Sequence, residues 1–371
     1  MMEHEFTSQI KKILAGLYGP DAEAVYEKSA LLQYFNIKTR SAMRGSKARS
    51  SFANIYAIYV LVEDYVKKDF HQKRGYGESQ GARFTDLLQR QRELPFGSKL
   101  QNHALNSRMN EEFKKYFPQN DFIPILRDLQ SNRYWINENL LKVRVQRKKY
   151  NLALAVLAIM DQYVETKRNA FEQFIETTER LKIVAREDNQ LVQEFISSLL
   201  APSADARIFE IVSYAILKFC YHDQEIYFGF ELDNLRKERL KLYKTGRTNA
   251  NDGGIDFVMR PLGRFFQVTE TLDVRKYFLD IDKLEHYPVS FVIKSNESIK
   301  QLESKLRAGA ERQYGVKAII EKYMNSIEEL INLPMLHDRF NQAIQQGYLR
   351  DILNEIITQS RVEFNFEDVV N

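Results

Sequence analysis

The chain has 371 residues, 44% apolar and 28% charged, with 8 prolines and 15 glycines. That length outgrows a single hydrophobic core, so two or more subdomains are expected, and the composition excludes a disordered chain. A formal net charge of +4 is too mild to imply a polyanionic partner by itself, and one cysteine, Cys220, excludes an internal disulfide and a thiolate-rich zinc site. The opening MMEHEFTSQIKKILAG carries acids and no long apolar core, unlike a secretory signal. No segment reaches the roughly 20 uninterrupted apolar residues of a membrane-spanning helix. A soluble, cytoplasmic protein with no membrane partner is expected.

Charge is clustered along the chain. Lys38, Arg40, Arg44, Lys47 and Arg49 occur with no acid among them, in KTRSAMRGSKARSSF at 38–52. Cations mixed with small hydroxyl residues ahead of an aromatic helix suit the gripping of phosphates at a helix start, so Arg40, Arg44, Lys47 and Arg49 are candidate DNA contacts. A solvated basic loop is the alternative. Helical periodicity then dominates 51–68, where Phe52, Ile55, Tyr56, Tyr59, Val60 and Tyr65 recur at intervals of three and four. The polar, glycine-bearing stretch 72–84 reads as an exposed loop whose Arg74, Gln80 or Arg83 could reach base edges. A second basic group, Lys142 to Lys149, precedes helices expected over 150–182 and 189–200. Trp135 is expected in the core.

A boundary is expected at Ala201-Pro202-Ser203, followed by a helix over 204–221 that Ser203 or Asp205 can cap and that carries Glu210 among apolar neighbours. Strands are expected over 255–260, 264–271 and 289–293. Helices follow over 299–312, 316–333 and 336–360. No histidine pair has metal-ligand spacing, and neither a phosphate-binding GxxxxGK[ST] nor a GxSxG occurs.

The chemistry concentrates in NANDGGIDFVMRPLGRFFQVTET, 249–271. The turn at Pro261 to Gly263 should set two strands antiparallel, with Asp256 on one and Gln267 beside it on the other. Alternation gives Gln267 and Thr269 one face, with Phe265, and gives Phe266, Val268 and Glu270 the other. The expected site faces Gln267 and Thr269, with Glu270 pointing away. Taken alone, Gly-Gly-x-Asp favours a solvated acid beside a turn. The acid-bearing helix upstream, the basic segment LYKTGRT at 242–248 and the hairpin spacing favour a metal cradle instead. Asp256 and Glu210 would bracket a Mg²⁺ ion, with a backbone carbonyl near Val268 and the scissile phosphate completing its oxygen shell.

GRTNANDGGIDFVMRPLGRFFQVTE, 246–270, resembles the metal-binding hairpin of the PD-(D/E)xK nuclease superfamily and, within it, of type II restriction endonucleases. The resemblance covers about 25 residues of the chain, counted on that segment. It implies an α+β fold: a central mixed β-sheet flanked by helices at 201–297, a large DNA-contacting helical region at 1–200 and a helical region at 298–371. It further implies Mg²⁺-dependent hydrolysis of DNA phosphodiester bonds by an activated water, with Asp256 as the motif's aspartate. Gln267 stands at its second acidic position, and Glu210 matches the acid of the preceding helix. Thr269 occupies the position of the motif's lysine and cannot supply a cation, so Lys244 is the candidate to orient the water and Arg247 to stabilise the phosphate. Arg247 and Asn249 are further candidate DNA contacts. The class implies a homodimer on a palindromic duplex site. A non-cleaving or regulatory DNA-binding protein on a degenerate nuclease core is the alternative, and a helical scaffold with a purely structural hairpin a third reading.

Overall fold

A computed structural model describes residues 3–40, 48–98, 100–184, 189–202, 204, 206–245 and 255–364. The fold is mixed α+β and divides into two compact units, residues 1–174 and 175–366.

In the first unit, α1 (Glu5–Tyr18), α2 (Ala22–Lys28), α3 (Ala30–Thr39) and α4 (Ala48–Lys67) are followed by β1 (Ala82–Arg83), α5 (Phe84–Glu93) and α6 (Met109–Tyr116). Then come β2 (Ile125–Asp128), β3 (Arg133–Ile136), α7 (Glu138–Leu141), β4 (Lys142–Val145), β5 (Lys148–Asn151) and the first part of α8 (Ala153–Val184). The expected apolar stripe of α4 is buried in full. Phe52 lies 5.1 Å from the rings of Tyr56 and Tyr163, so α4 and α8 meet through aromatic faces.

The stretch 72–84 is largely exposed, as expected, and it is also held in place. Residues 72–84 are anchored: Tyr76 is 1% exposed, its hydroxyl accepts from the Ile136 N–H at 3.3 Å, and Trp135 Nε1 donates to the Ser79 carbonyl at 3.1 Å. Gly81 sits at φ +63° against the Trp135 indole, where a Cβ would come within 2.5 Å of the ring. One buried tyrosine thus fixes a loop that is otherwise exposed, Arg74, Gln80 and Arg83 included. The basic group at 142–149 is a β-hairpin, β4 pairing antiparallel with β5. Its Val143 and Val145 turn inward while Lys142 and Arg144 turn out, an alternation that cation counting overlooks.

The second unit opens with α9 (Asn189–Leu200) and α10 (Ala206–Cys220). A two-stranded ribbon follows, β6 (Glu225–Phe228) with β7 (Arg236–Arg239), and then β8 (Lys241–Lys244), β9 (Phe257–Arg260) and β10 (Arg264–Thr269). The remaining elements are α11 (Val274–Lys283), β11 (Val289–Ile293), α12 (Ile299–Gln313), α13 (Lys317–Asn325), β12 (Ile327–Ile331), α14 (Leu333–Gln345) and α15 (Leu349–Phe364). Strands β8, β9 and β10 form an antiparallel meander, and β11 and β12 extend it in parallel, giving the mixed order β12-β11-β10-β9-β8. Helices cover both faces. Tyr214 of α10 stacks on Phe257 at 5.2 Å, while Tyr277 of α11 lies 4.4 Å from Phe291 on the other face.

The expected helix at 316–333 ends at Asn325, and β12 follows within a region expected to be wholly helical. Leu330 and Ile331 of β12 are buried, and Arg264 and Arg339 both bind Glu329, so pairing and packing on β11 override local helical preference. The expected helix at 336–360 is two helices. Gly347, at φ +90°, breaks it with a left-handed turn that side-chain-bearing residues adopt at a cost. Among the described residues no helix is long and apolar enough to cross a membrane.

Candidate active site

Helix α10 is apolar around most of its circumference because it lies between the sheet and α14 and α15. The exceptions stand in its first turns. Glu210 is buried, and Arg207, one turn earlier, forms an ion pair with it. Lys244 Nζ lies 3.1 Å from the other Glu210 oxygen. Lys244 reaches it because its register partner is Phe257, the residue that stacks on Tyr214, so both side chains lie on the α10 face. A buried carboxylate needs such partners: without them its desolvation would cost several kcal/mol.

Asp256 stands where β9 begins. Its N–H donates to the Phe266 carbonyl at 2.9 Å, its carbonyl accepts from the Thr245 N–H at 2.9 Å, and its Oδ2 accepts from the Val268 N–H at 2.7 Å. Burial, and secondarily the negative charge of Glu210, push its carboxyl up to about 7. The Val268 N–H and the charges of Arg207 and Lys276 oppose the shift without cancelling it. At neutral pH this carboxyl is therefore poised between its two protonation states. A cation arriving there would favour the carboxylate.

The alternation along β10 is as expected, but its orientation is reversed. Phe265 packs against Tyr287 at 4.9 Å, and Gln267 pairs in register with Phe291, so Phe265, Gln267 and Thr269 face the α11–α12 layer. Phe266, paired with Phe257, faces α10. Gln267 follows one step along β10 from the Phe257–Phe266 pair, which brings it beside Asp256. Its Oε1 is buried without a hydrogen-bond partner among the described residues. Thr269 Oγ1 donates to the Thr271 carbonyl at 2.9 Å. Glu270 does not point away from α10. It accepts from Lys294 Nζ at 3.0 Å, and that lysine, its side chain only 3% exposed, also donates to the Ala204 carbonyl and lies 5.6 Å over the Phe209 ring of α10. Periodicity reveals alternation but not which face a helix will cover, which accounts for the reversal.

Lys294 is the residue that sequence reading missed. A lysine ending the fully buried run Val289–Ile293 was its only signal. The structure thus gathers Arg207, Glu210, Lys244, Glu270 and Lys294 on the α10 face, with Asp256 at the sheet's end within the electrostatic reach of Glu210. Among the described residues no three His, Cys, Asp or Glu side chains form a ready metal cage. Asp256, with no cation partner among the described residues, and Glu210 nearby suit a hard cation that keeps most of its shell for water or substrate, whereas the unpartnered Gln267 Oε1 lies on the other face from Glu210.

Of the candidate DNA contacts, Arg40 is exposed just beyond α3. Lys38, from the same run, is turned to Glu112 at 2.7 Å. Arg44, Lys47, Arg247 and Asn249 lie outside the described residues, as do the caps Ser203 and Asp205 and the side chain of Arg49 in the first turn of α4. No family model, curated protein or solved structure matches the chain.

Proposed function

We propose that this protein is a Mg²⁺-dependent, site-specific deoxyribonuclease of the type II restriction kind, cutting double-stranded DNA as a homodimer on a palindromic site. The observation that carries the reading is Asp256. A half-buried carboxyl raised to about 7, within the electrostatic reach of the buried Glu210, is an arrangement that folding alone disfavours and that cation binding relieves. A mixed sheet flanked by helices, with the hairpin β9–β10 at its centre, supports a PD-(D/E)xK-like core.

Asp256 and Glu210 would hold Mg²⁺, which would lower the pKa of a bound water and polarise the phosphoryl oxygen. Lys244, held by Glu210, would present positive charge to the phosphate as the water oxygen attacks phosphorus and the ester oxygen leaves. Arg207 would stay paired with Glu210 while Lys244 turns toward substrate. Thr269, its hydroxyl committed to the Thr271 carbonyl, supplies no cation, and this favours the second reading, a DNA-binding protein that does not cut.

Plasmid DNA incubated with the protein, with and without Mg²⁺, tests the proposal beside Asp256→Ala. Discrete Mg²⁺-dependent fragments are expected from the native chain, with activity at least about a thousandfold lower in the variant, the scale of losing a group on which a reaction depends. DNA left intact across salt and divalent-ion conditions would overturn it.

A further inference from the structure

The second unit carries a charged surface apart from Asp256 and its neighbours. The β6–β7 ribbon is exposed along almost its whole length, with Tyr227 72% exposed and Phe230, beyond its end, 99% exposed. It continues through Leu240 into β8, whose residues divide between the sheet's faces. Leu242 is buried and Lys244 turns to Glu210, so Lys241 and Tyr243 stand on the opposite face, with Arg260 the register partner of Lys241. Phe228, Arg239, Lys241, Tyr243 and Arg260 line an open cleft of about 530 Å³ in which Glu238 is the only acid. Among the described residues no carboxylate pairs with Lys241 or Arg260, and Arg239 reaches Glu225 at 3.6 Å.

Three cations around one cleft repel each other, and two half-exposed rings beside them leave apolar surface in water. A polyanion with flat, weakly polar sugar faces relieves both. The cleft also lies close to the candidate site in chain terms. Lys241 is three residues from Lys244, roughly 10 Å along an extended strand. We propose that this cleft and the ribbon above it are the docking surface for the backbone of double-stranded DNA. Lys241, Arg260 and Arg239 would take phosphates, and Phe228 and Tyr243 would lie against the sugars. The proposal rests on the nuclease reading for its substrate and adds the surface that holds it.

The test is the affinity of the full chain for a fluorescein-labelled mixed-sequence duplex, by anisotropy without Mg²⁺ over a salt series, with Lys241→Ala/Arg260→Ala beside the native protein. Both side chains are exposed, and an unchanged melting temperature would establish that the variant folds. The double variant should bind at least about tenfold more weakly, and the slope of log affinity against log salt should flatten by about 1.8, two phosphate contacts at about 0.9 each. Lys241→Arg should bind as the native chain does. Mg²⁺-dependent cutting with unchanged affinity and slope in the double variant would overturn the cleft and leave the nuclease reading standing. Weakened binding in the double variant, with a native chain that never cuts, would support the cleft and overturn the nuclease reading. No binding by the native chain, or unchanged affinity with an altered sedimentation coefficient in the variant, as a second copy in the cleft would give, also overturns the proposal.

Discussion

Glu112 and Glu63 of the first unit contrast with Asp256 of the second in the partners their carboxyls find. In the first, Glu112 lies between Lys38 at 2.7 Å and the Tyr34 hydroxyl at 2.8 Å, and its carboxyl is held below the ordinary range despite its burial. Glu63 is likewise held down by Arg90 and Lys67. In the second, Asp256 receives one backbone N–H and no cation within ion-pair distance among the described residues, and its carboxyl rises instead. Among the described residues both units hold buried side-chain atoms without partners, Gln91 of the first among them, but beside Asp256 an amide oxygen without a partner, Gln267 Oε1, stands next to a carboxyl without a cation on the neighbouring strand. A carboxyl without a cation beside an unpartnered amide oxygen is the juxtaposition that a hard cation would relieve.

The comparison breaks most visibly through the aromatic core of the first unit. Phe52→Ala should destabilise that unit by about 4 kcal/mol, since the ring is fully buried between Tyr56 and Tyr163. Trp135 is the only tryptophan, so its fluorescence reports denaturation of the first unit alone. A tryptophan midpoint unchanged in this variant would show that the aromatic cluster does not hold the unit together.

A smaller effect is expected at Lys294. Lys294→Met removes the cation over Phe209 and strands the Ala204 carbonyl, but Glu270 can return to water, so the loss should be about 2 kcal/mol, below that of a fully buried pair. It should appear in far-ultraviolet dichroism while the tryptophan transition stays in place. A shift of both together would contradict the assignment of this lysine to the second unit.

The pH-dependent effect is the most specific. Because Asp256 has a raised pKa in the folded chain, the stability its proton confers is complete below about pH 4. It is lost as pH climbs to about 7, where the folded carboxyl ionises. Asp256→Asn cannot ionise. Without divalent ions, the variant and native melting temperatures should agree at pH 4, and the variant should be the more stable by roughly 4 kcal/mol at pH 8. A difference that does not vary with pH would sink the electrostatic account.

Much of this was legible in the residues. The hairpin of β9 and β10 announced itself by alternation around Pro261 to Gly263, and α9 and β11 begin and end where their patterns do. The pairing of Lys244 with Glu210 followed the expectation that this lysine would be drawn in, though what draws it is the carboxylate. What was illegible depends on neighbours far away in sequence. Which face of β10 meets α10 is decided by Phe257 and Phe266 packing on Tyr214 and Tyr221, and β12 becomes a strand because β11 offers it an edge. Lys294 lies 84 residues from Glu210 by their numbers and belongs to no spacing pattern, so only folding brings it to the same helix.

The claim that Asp256 is a carboxyl waiting for a divalent cation is tested most directly by titrating Mg²⁺ into the native chain at pH 6 by calorimetry, in buffers of different ionisation heats. With its carboxyl at about 7, Asp256 is mostly protonated at that pH, and Mg²⁺ must expel the proton, so about one proton should be released per ion bound, and none in Asp256→Asn. Binding of Mg²⁺ without proton release, or the same release from both proteins, would contradict the account.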